Sequence, residues 1–138
     1  MRKLLLVITL ASGLHLAHAQ KSVYTELPGR LFSQGKEMFL NNNYVGCINT
    51  LQEFKNQSKD IKLMEEADYM IVSSLFYQGK AGDGTILKDF LDDYPESYHR
   101  NQISFFTGSI HFQQKDWNKA LHWFSQVDID YLSVSEQE

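Results

Sequence analysis

Apolar and small residues recur with helical spacing in two neighbouring stretches. Leu31, Gln34, Gly35 and Met38 fall at i, i+3, i+4 and i+7, and Tyr44, Cys47, Ile48, Leu51 and Phe54 carry a similar stripe thirteen residues on. This spacing predicts two helices. Asn41-Asn42-Asn43 lies between them, and Asn43 is an N-cap residue type, so a tight turn joining two antiparallel helices is expected. The pattern then returns. Residues 31–54 align without a gap on residues 104–127, at a separation of 73: Gly35 falls on Gly108, Tyr44 on Trp117, Cys47 on Ala120, Leu51 on Phe124 and Phe54 on Val127. Gln114-Lys115-Asp116 stands where the three asparagines stood, with Asp116 as the cap.

Between the two copies a third hairpin is expected. Glu66 to Tyr77 reads as its first helix, Gly79 to Gly84 as a turn that looks shortened relative to the other hairpins, and Thr85 to Asp93 as its second helix. Pro95 ends it, because the residue before a proline is pushed out of the α region; Ser97 is a cap for a helix beginning near Tyr98. Pro28 suits a first-turn position, so the first helix should begin near Leu27. The hairpins then run over about 28–57, 61–94 and 98–127.

A glycine in a helix interior costs about 1 kcal/mol against alanine, so Gly35 and Gly108 need compensation from close approach of the partner helix. Cys47 and Ala120 are the small residues expected to face that gap, and Leu51 and Phe124, one turn later, to seal it. One hairpin alone leaves an apolar face bare, so such units must stack.

The glycines followed twelve residues later by Cys47 or Ala120 and four later again by Leu51 or Phe124, with Pro95 closing a second helix, resemble the tetratricopeptide repeat. The resemblance spans about residues 28–138 and is clearest in the first and third hairpins; in the second no small residue stands cleanly before Leu87. It implies an all-α fold of antiparallel hairpins stacked as a right-handed α-solenoid, and a non-enzymatic scaffold or adaptor that binds a peptide or protein in its concave groove. Exported proteins of this look are similar to envelope proteins of Bacteroidota and, more distantly, to periplasmic helical-repeat factors of outer-membrane assembly. A second reading makes the chain the N-terminal recognition region of a longer exported enzyme or assembly factor, and a third a structural spacer of the envelope.

Residues 1–19 carry Arg2 and Lys3, the apolar run from Leu4 to Ala11, and Ala17-His18-Ala19. A positive start, a short apolar core and an A-x-A ending form a secretory signal peptide; the run is well short of the roughly 20 apolar residues that a spanning helix needs. Cleavage after Ala19 leaves a chain from Gln20 to Glu138, with periplasm, cell envelope or secretion as its destination. At the other end Ser133 and Glu136 form a capping box, which starts a further helix that residues 133–138 would truncate; an acidic, frayed tail is the other reading.

Composition narrows the function. The chain has 138 residues, 43% of them apolar, with nine Phe, seven Tyr and two Trp, which is enough for a cored domain and too apolar for a disordered one. Its net charge of −4 becomes about −6 once Arg2 and Lys3 are removed, which leaves no basic surface for nucleic acid. The single Cys47 cannot close an internal disulfide; a buried inert thiol and an intermolecular partner are the two readings of it.

No catalytic residue, cofactor or metal site is expected. His99, His111 and His122 lack metal-ligand spacing, and Gly79 to Thr85 resembles a phosphate loop only superficially, so it is read as a turn with Asp83 as cap. Asp89, Asp92, Asp93 and Glu96 read as a solvated acidic face, and Asn56-Gln57-Ser58 is a glycosylation sequon of meaning only in a eukaryotic secretory pathway. The candidate partner-binding residues are Phe32, Lys36 and Phe39 on the first helix of the first hairpin, and Phe105 and Phe112 in the same register on the third. Each phenylalanine pair is seven residues apart, hence one stripe on one face. The resemblance places such stripes on the concave groove, whereas plain packing of one unit on the next demands aromatics equally. Partner identity and oligomeric state are not legible.

The exported protein is expected to begin at Gln20 without a lipid. Intact-mass measurement of the exported material checks this; a mass retaining residues 1–19 or carrying acyl chains would contradict it.

Overall fold

The computed structural model describes residues 27–132, so the signal-peptide residues 1–19 and the Ser133–Glu136 capping box lie outside the described residues. Within them the fold is all-helical. Helix α1 runs over 27–40, α2 over Tyr44–Gln57, α3 over Ile61–Tyr77, α4 over Thr85–Asp93, α5 over Arg100–Gln113 and α6 over Trp117–Phe124, followed by a 3₁₀ turn, Ile129–Tyr131. None of them is long and apolar enough to cross a membrane.

Three first helices end alike. The Asn42 and Asn43 N–H groups donate to the carbonyls of Phe39 (3.0 Å) and Met38 (2.8 Å), and the residue between helix and cap, Asn42, sits at φ 58°. Gly79 and Lys80 repeat this on Phe76 and Leu75 at 2.8 Å each, and Lys115 and Asp116 on Phe112 (3.0 Å) and His111 (2.9 Å), with Gly79 at φ 67° and Lys115 at 62°. The left-handed residue satisfies orphan carbonyls and reverses the chain. After it, the Asn43 side chain accepts from Gly46 N–H and the Asp116 side chain from Lys119 N–H, which starts α2 and α6.

The glycines mark the closest approaches. A Cβ built on Gly35 would lie 2.5 Å from Leu51 Cδ2, and one on Gly108 2.6 Å from the Phe124 ring. The large side chain itself fills the glycine notch; Cys47 and Ala120 are buried a turn earlier in α2 and α6. Contacts nest around each turn, Phe39 on Tyr44 and Phe32 on Phe54 in one hairpin, Phe112 on Trp117 and Phe105 on Phe124 in the other, so the helices of each pair are antiparallel.

The middle pair differs. Its turn is longer than the others: seven residues, Gln78 to Gly84, separate α3 from α4, against three elsewhere. Val72 replaces the glycine, so α4 cannot approach as α2 and α6 do. Gly84 takes the N-cap position at φ 88°, while Asp83 Oδ1 accepts from Thr85 N–H (3.0 Å) and its hydroxyl (2.7 Å). Helix α3 starts at Ile61, five residues before Glu66, because Asp60 accepts from the Lys62 and Leu63 N–H groups. Helix α5 starts at Arg100, two residues after Tyr98, since the side chains of Tyr98 and His99 both reach back to Glu66 on α3. Helix α6 stops at Phe124, short of Val127: the Asn101 side chain holds the Asp128 backbone from both sides, accepting from its N–H at 2.6 Å and donating to its carbonyl at 2.9 Å.

Two apolar clusters result. Cys47, Leu51, Phe54, Ala67, Met70 and Ile71 form one between α2 and α3, flanked by α1 side chains; Leu87, Phe90, Leu91, Ile103, Phe106 and Ile110 dominate the other, between α4 and α5. Tyr69 packs against both.

Gly108→Leu and Ala120→Phe should each destabilise by roughly 2–4 kcal/mol through overpacking, against under about 0.5 kcal/mol for Lys115→Ala. Lys115→Gly should stabilise by about 0.5–1 kcal/mol, because the position already has positive φ. Urea midpoints check the series; equal midpoints for Gly108→Leu and Lys115→Ala would place the helix contact elsewhere.

Candidate functional site

The aromatic register on the first helices is threefold. Counted from the shared left-handed turn residue, Phe32, Tyr69 and Phe105 are equivalent, and so are Phe39, Phe76 and Phe112. Tyr69 and Phe76 escaped the sequence comparison because Val72 stands between them where glycine marks the other two copies.

Most of these rings are engaged. Phe32 lies 5.3 Å from Phe54, and Phe39 lies 6.1 Å from Tyr44 and 6.3 Å from Tyr69, so both pack on the first cluster and Phe39 also meets α3. Phe76 stacks on Phe106 at 4.0 Å and 16°, joining α3 to α5. Phe105 is half-buried against Phe124. Phe112 is 56% exposed, and its neighbour Trp117, which the sequence reading treated only as a repeat position, is equally open. Lys36 is exposed on α1. The structure therefore does not bring the five candidate residues into one cluster: Phe32, Phe39 and Phe105 sit at helix contacts, while Lys36 and Phe112 face outward on different hairpins.

Around Tyr69 lies a polar shell. The His99 ring stacks on Tyr69 at 3.4 Å and 5°, its Nε2 is 3.1 Å from Glu66, and the Tyr98 hydroxyl donates to the same carboxylate. Burial holds the His99 pKa below its usual 6.5, against the opposing pull of Glu66 and Glu65. Asp68 accepts from Lys55 of α2 and from the Tyr94 hydroxyl (2.8 Å), tying α2, α3 and the end of α4 together. Desolvation and the adjacent carboxylates keep the Tyr94 and Tyr98 phenols protonated far above their usual range. A cavity of about 520 Å³ opens beside this second group, with Lys55, Asp68, Asp89, Asp93 and Tyr94 on its polar wall and Ile71 and Phe90 beneath.

The arrangement offers little chemistry. Cys47 is a fully buried free thiol whose pKa burial raises, so the nucleophilic thiolate is disfavoured. Among the described residues no group of three or more His, Cys, Asp or Glu side chains is placed to hold a metal ion. Asp83 occupies the start of α4, putting a carboxylate where a phosphate loop would offer free N–H groups, and Thr85 holds its pKa low. Asp92 is paired with Lys88 at 2.6 Å on an open face. Comparison of the chain with protein-family models, with curated proteins and with solved structures returned no match.

The neutral His99 stacked on Tyr69 makes stability pH-dependent. Its folded pKa lies below the unfolded value, so its contribution is fully present above about pH 6.5 and is lost as pH falls through the depressed folded value. The drop in urea midpoint from pH 8 to pH 5 should be larger for the wild type than for His99→Phe, which keeps a ring on Tyr69 but cannot take a proton. Equal drops would remove His99 from the acid response.

Proposed function

We propose that this chain is a non-enzymatic interaction scaffold of tetratricopeptide-like hairpins stacked as a right-handed solenoid, working in the periplasm or cell envelope after export and receiving a peptide or protein on its first helices. The observation that carries the reading is the threefold recurrence on α1, α3 and α5: one left-handed turn and two aromatic positions seven residues apart, three times in about 110 residues. Repetition of this kind yields an extended surface in place of an enclosed reaction site. It agrees with the buried Cys47 thiol, whose pKa burial raises, and with the chain's net charge of −4.

The exposed members of the stripe, Phe112 and Lys36, are its accessible contacts; the Lys36 ammonium suits a carboxylate of the bound peptide. Phe39, wedged between Tyr44 and Tyr69, acts by keeping the surface in shape.

Affinity capture from envelope extracts tests this. Phe112→Ser and Lys36→Glu should each lower recovery of a reproducible partner by at least about tenfold with helical circular dichroism and urea midpoint unchanged, whereas Phe39→Ser should lose folding stability along with binding. Undiminished capture by both surface variants would assign the aromatic stripe to packing alone.

A further inference from the structure

The turn of the middle hairpin does more than reverse the chain. Its seven residues, Gln78 to Gly84, lean on α5: Ala81 packs into the second cluster, a Cβ on Gly84 would stand 3.7 Å from both Ile110 and Thr107, and the Gln114 side chain donates to the Gly82 carbonyl at 3.5 Å. The extra length builds a wall that the three-residue turns lack. Between this wall and the ends of α3 and α5 lies a cavity of about 550 Å³, within the size range of small-ligand sites. Phe76, Tyr77 and Ile110 supply its apolar side, Gln113 and Gln114 its polar side, and Gly82 a stretch of bare main chain.

The chemistry of the walls states what fits between them. Among the described residues no charged side chain lines the cavity, so an ion seated beside Phe76 and Ile110 would lose water without gaining a counter-charge. The Phe76 and Tyr77 rings meet edge to face at 5.6 Å and 67°, and Tyr77 is 47% exposed, which offers a further ring an aromatic surface to pack on. Gln113 and Gln114 are exposed amides that both donate and accept, and the Gly82 N–H donates to none of the described residues. Such groups complement the N–H and C=O of a peptide main chain. The described chain begins at the start of α1 and ends beside the start of α5, where Asn101 holds Asp128, whereas the cavity sits at the far ends of α3 and α5. Its walls come from the interior of the array.

We infer that this cavity receives an uncharged aromatic side chain of the partner peptide, with Gln113, Gln114 and the Gly82 N–H bonding the main chain on either side of it. The proposal rests on the scaffold reading above and deepens it by naming the anchor residue that the peptide carries. To the surface contacts at Lys36 and Phe112 it adds a recessed subsite whose selectivity comes from its uncharged walls.

The probe is the blocked tripeptide N-acetyl-Ala-Phe-Ala-amide, titrated into the full chain while the amide resonances of Gly79, Gly82 and Gln113 are followed by nuclear magnetic resonance. Saturable shifts of these resonances are expected, with affinity at least about tenfold lower for the tripeptides that carry Glu or Lys in place of Phe. Gln113→Glu, which brings a charge to an exposed position on the wall, should weaken the Phe tripeptide at least about fivefold with the urea midpoint unchanged. Absence of saturation, equal affinity for the Phe, Glu and Lys tripeptides, or undiminished binding by Gln113→Glu overturns the proposal. So do nuclear Overhauser contacts, in the protein without peptide, from Tyr77 or Ile110 to residues outside 27–132, because the occupant is then a segment of the chain itself. Failure here alongside lowered capture by Phe112→Ser removes the anchor and leaves the scaffold; saturable tripeptide binding alongside undiminished capture by Phe112→Ser and Lys36→Glu keeps the cavity and removes the stripe as the contact surface.

Discussion

A two-helix hairpin of this composition has one more apolar face than it can bury by itself, and the structure depends on how that face is covered. Within each glycine-bearing hairpin the inner face closes through the glycine notch: Leu51 fills Gly35 and Phe124 fills Gly108 at distances a side chain on the glycine would forbid. The outer face closes only when another helix supplies the missing surface. For the first hairpin that helix is α3, through Ala67, Met70, Ile71 and the rings of Tyr69 and Tyr77. Tyr69 also reaches Phe90 and His99, and among the described residues it is the side chain that packs against both clusters. Burial of rings of this size carries most of the available energy, and their edge and stacked geometries fix orientation.

Polar groups sit where this joint meets water. Glu66 collects the Tyr98 hydroxyl and the His99 ring, and Asp68 collects Lys55 and the Tyr94 hydroxyl. Glu66 and Asp68 of α3 thus each gather groups from other segments, so the helix that covers the first hairpin is also tied to the residues leading into α5. Hydrogen bonds at partly buried charged groups contribute more than exposed ones, whereas open pairs such as Lys88 with Asp92 contribute little. Among the described residues, Phe112, Trp117 and Leu121 are large apolar side chains that stay uncovered, and Lys36 is exposed on α1.

The first and third hairpins were readable because their periodicity, caps and glycines recur without a gap at 73 residues. The middle one resisted for physical reasons. Its valine removes the glycine marker, its longer turn breaks a gapless alignment, and its second helix is started by a left-handed Gly84 with Asp83 one residue earlier. Helix ends moved where side chains from elsewhere intervened: Tyr98 and His99 are drawn to Glu66 before α5 can begin, and Asn101 captures Asp128 after α6 has stopped. The candidate stripe was half legible. Seven-residue spacing revealed that the phenylalanines share a face, but which of them are covered depends on α3, and helical periodicity does not say where the next helix lies. Hence Phe39 and Phe112, identical in register, differ in exposure.

The central claim is that Tyr69 couples the two clusters into one cooperative unit. Both tryptophans lie on α6, so their fluorescence follows the third hairpin while far-ultraviolet circular dichroism follows all helices. In urea the wild type should show coincident transitions by both probes, and Tyr69→Ala should separate them, with the circular dichroism midpoint falling below that of tryptophan fluorescence as the first hairpin melts early. Coincident transitions in Tyr69→Ala at the wild-type midpoint would contradict the account.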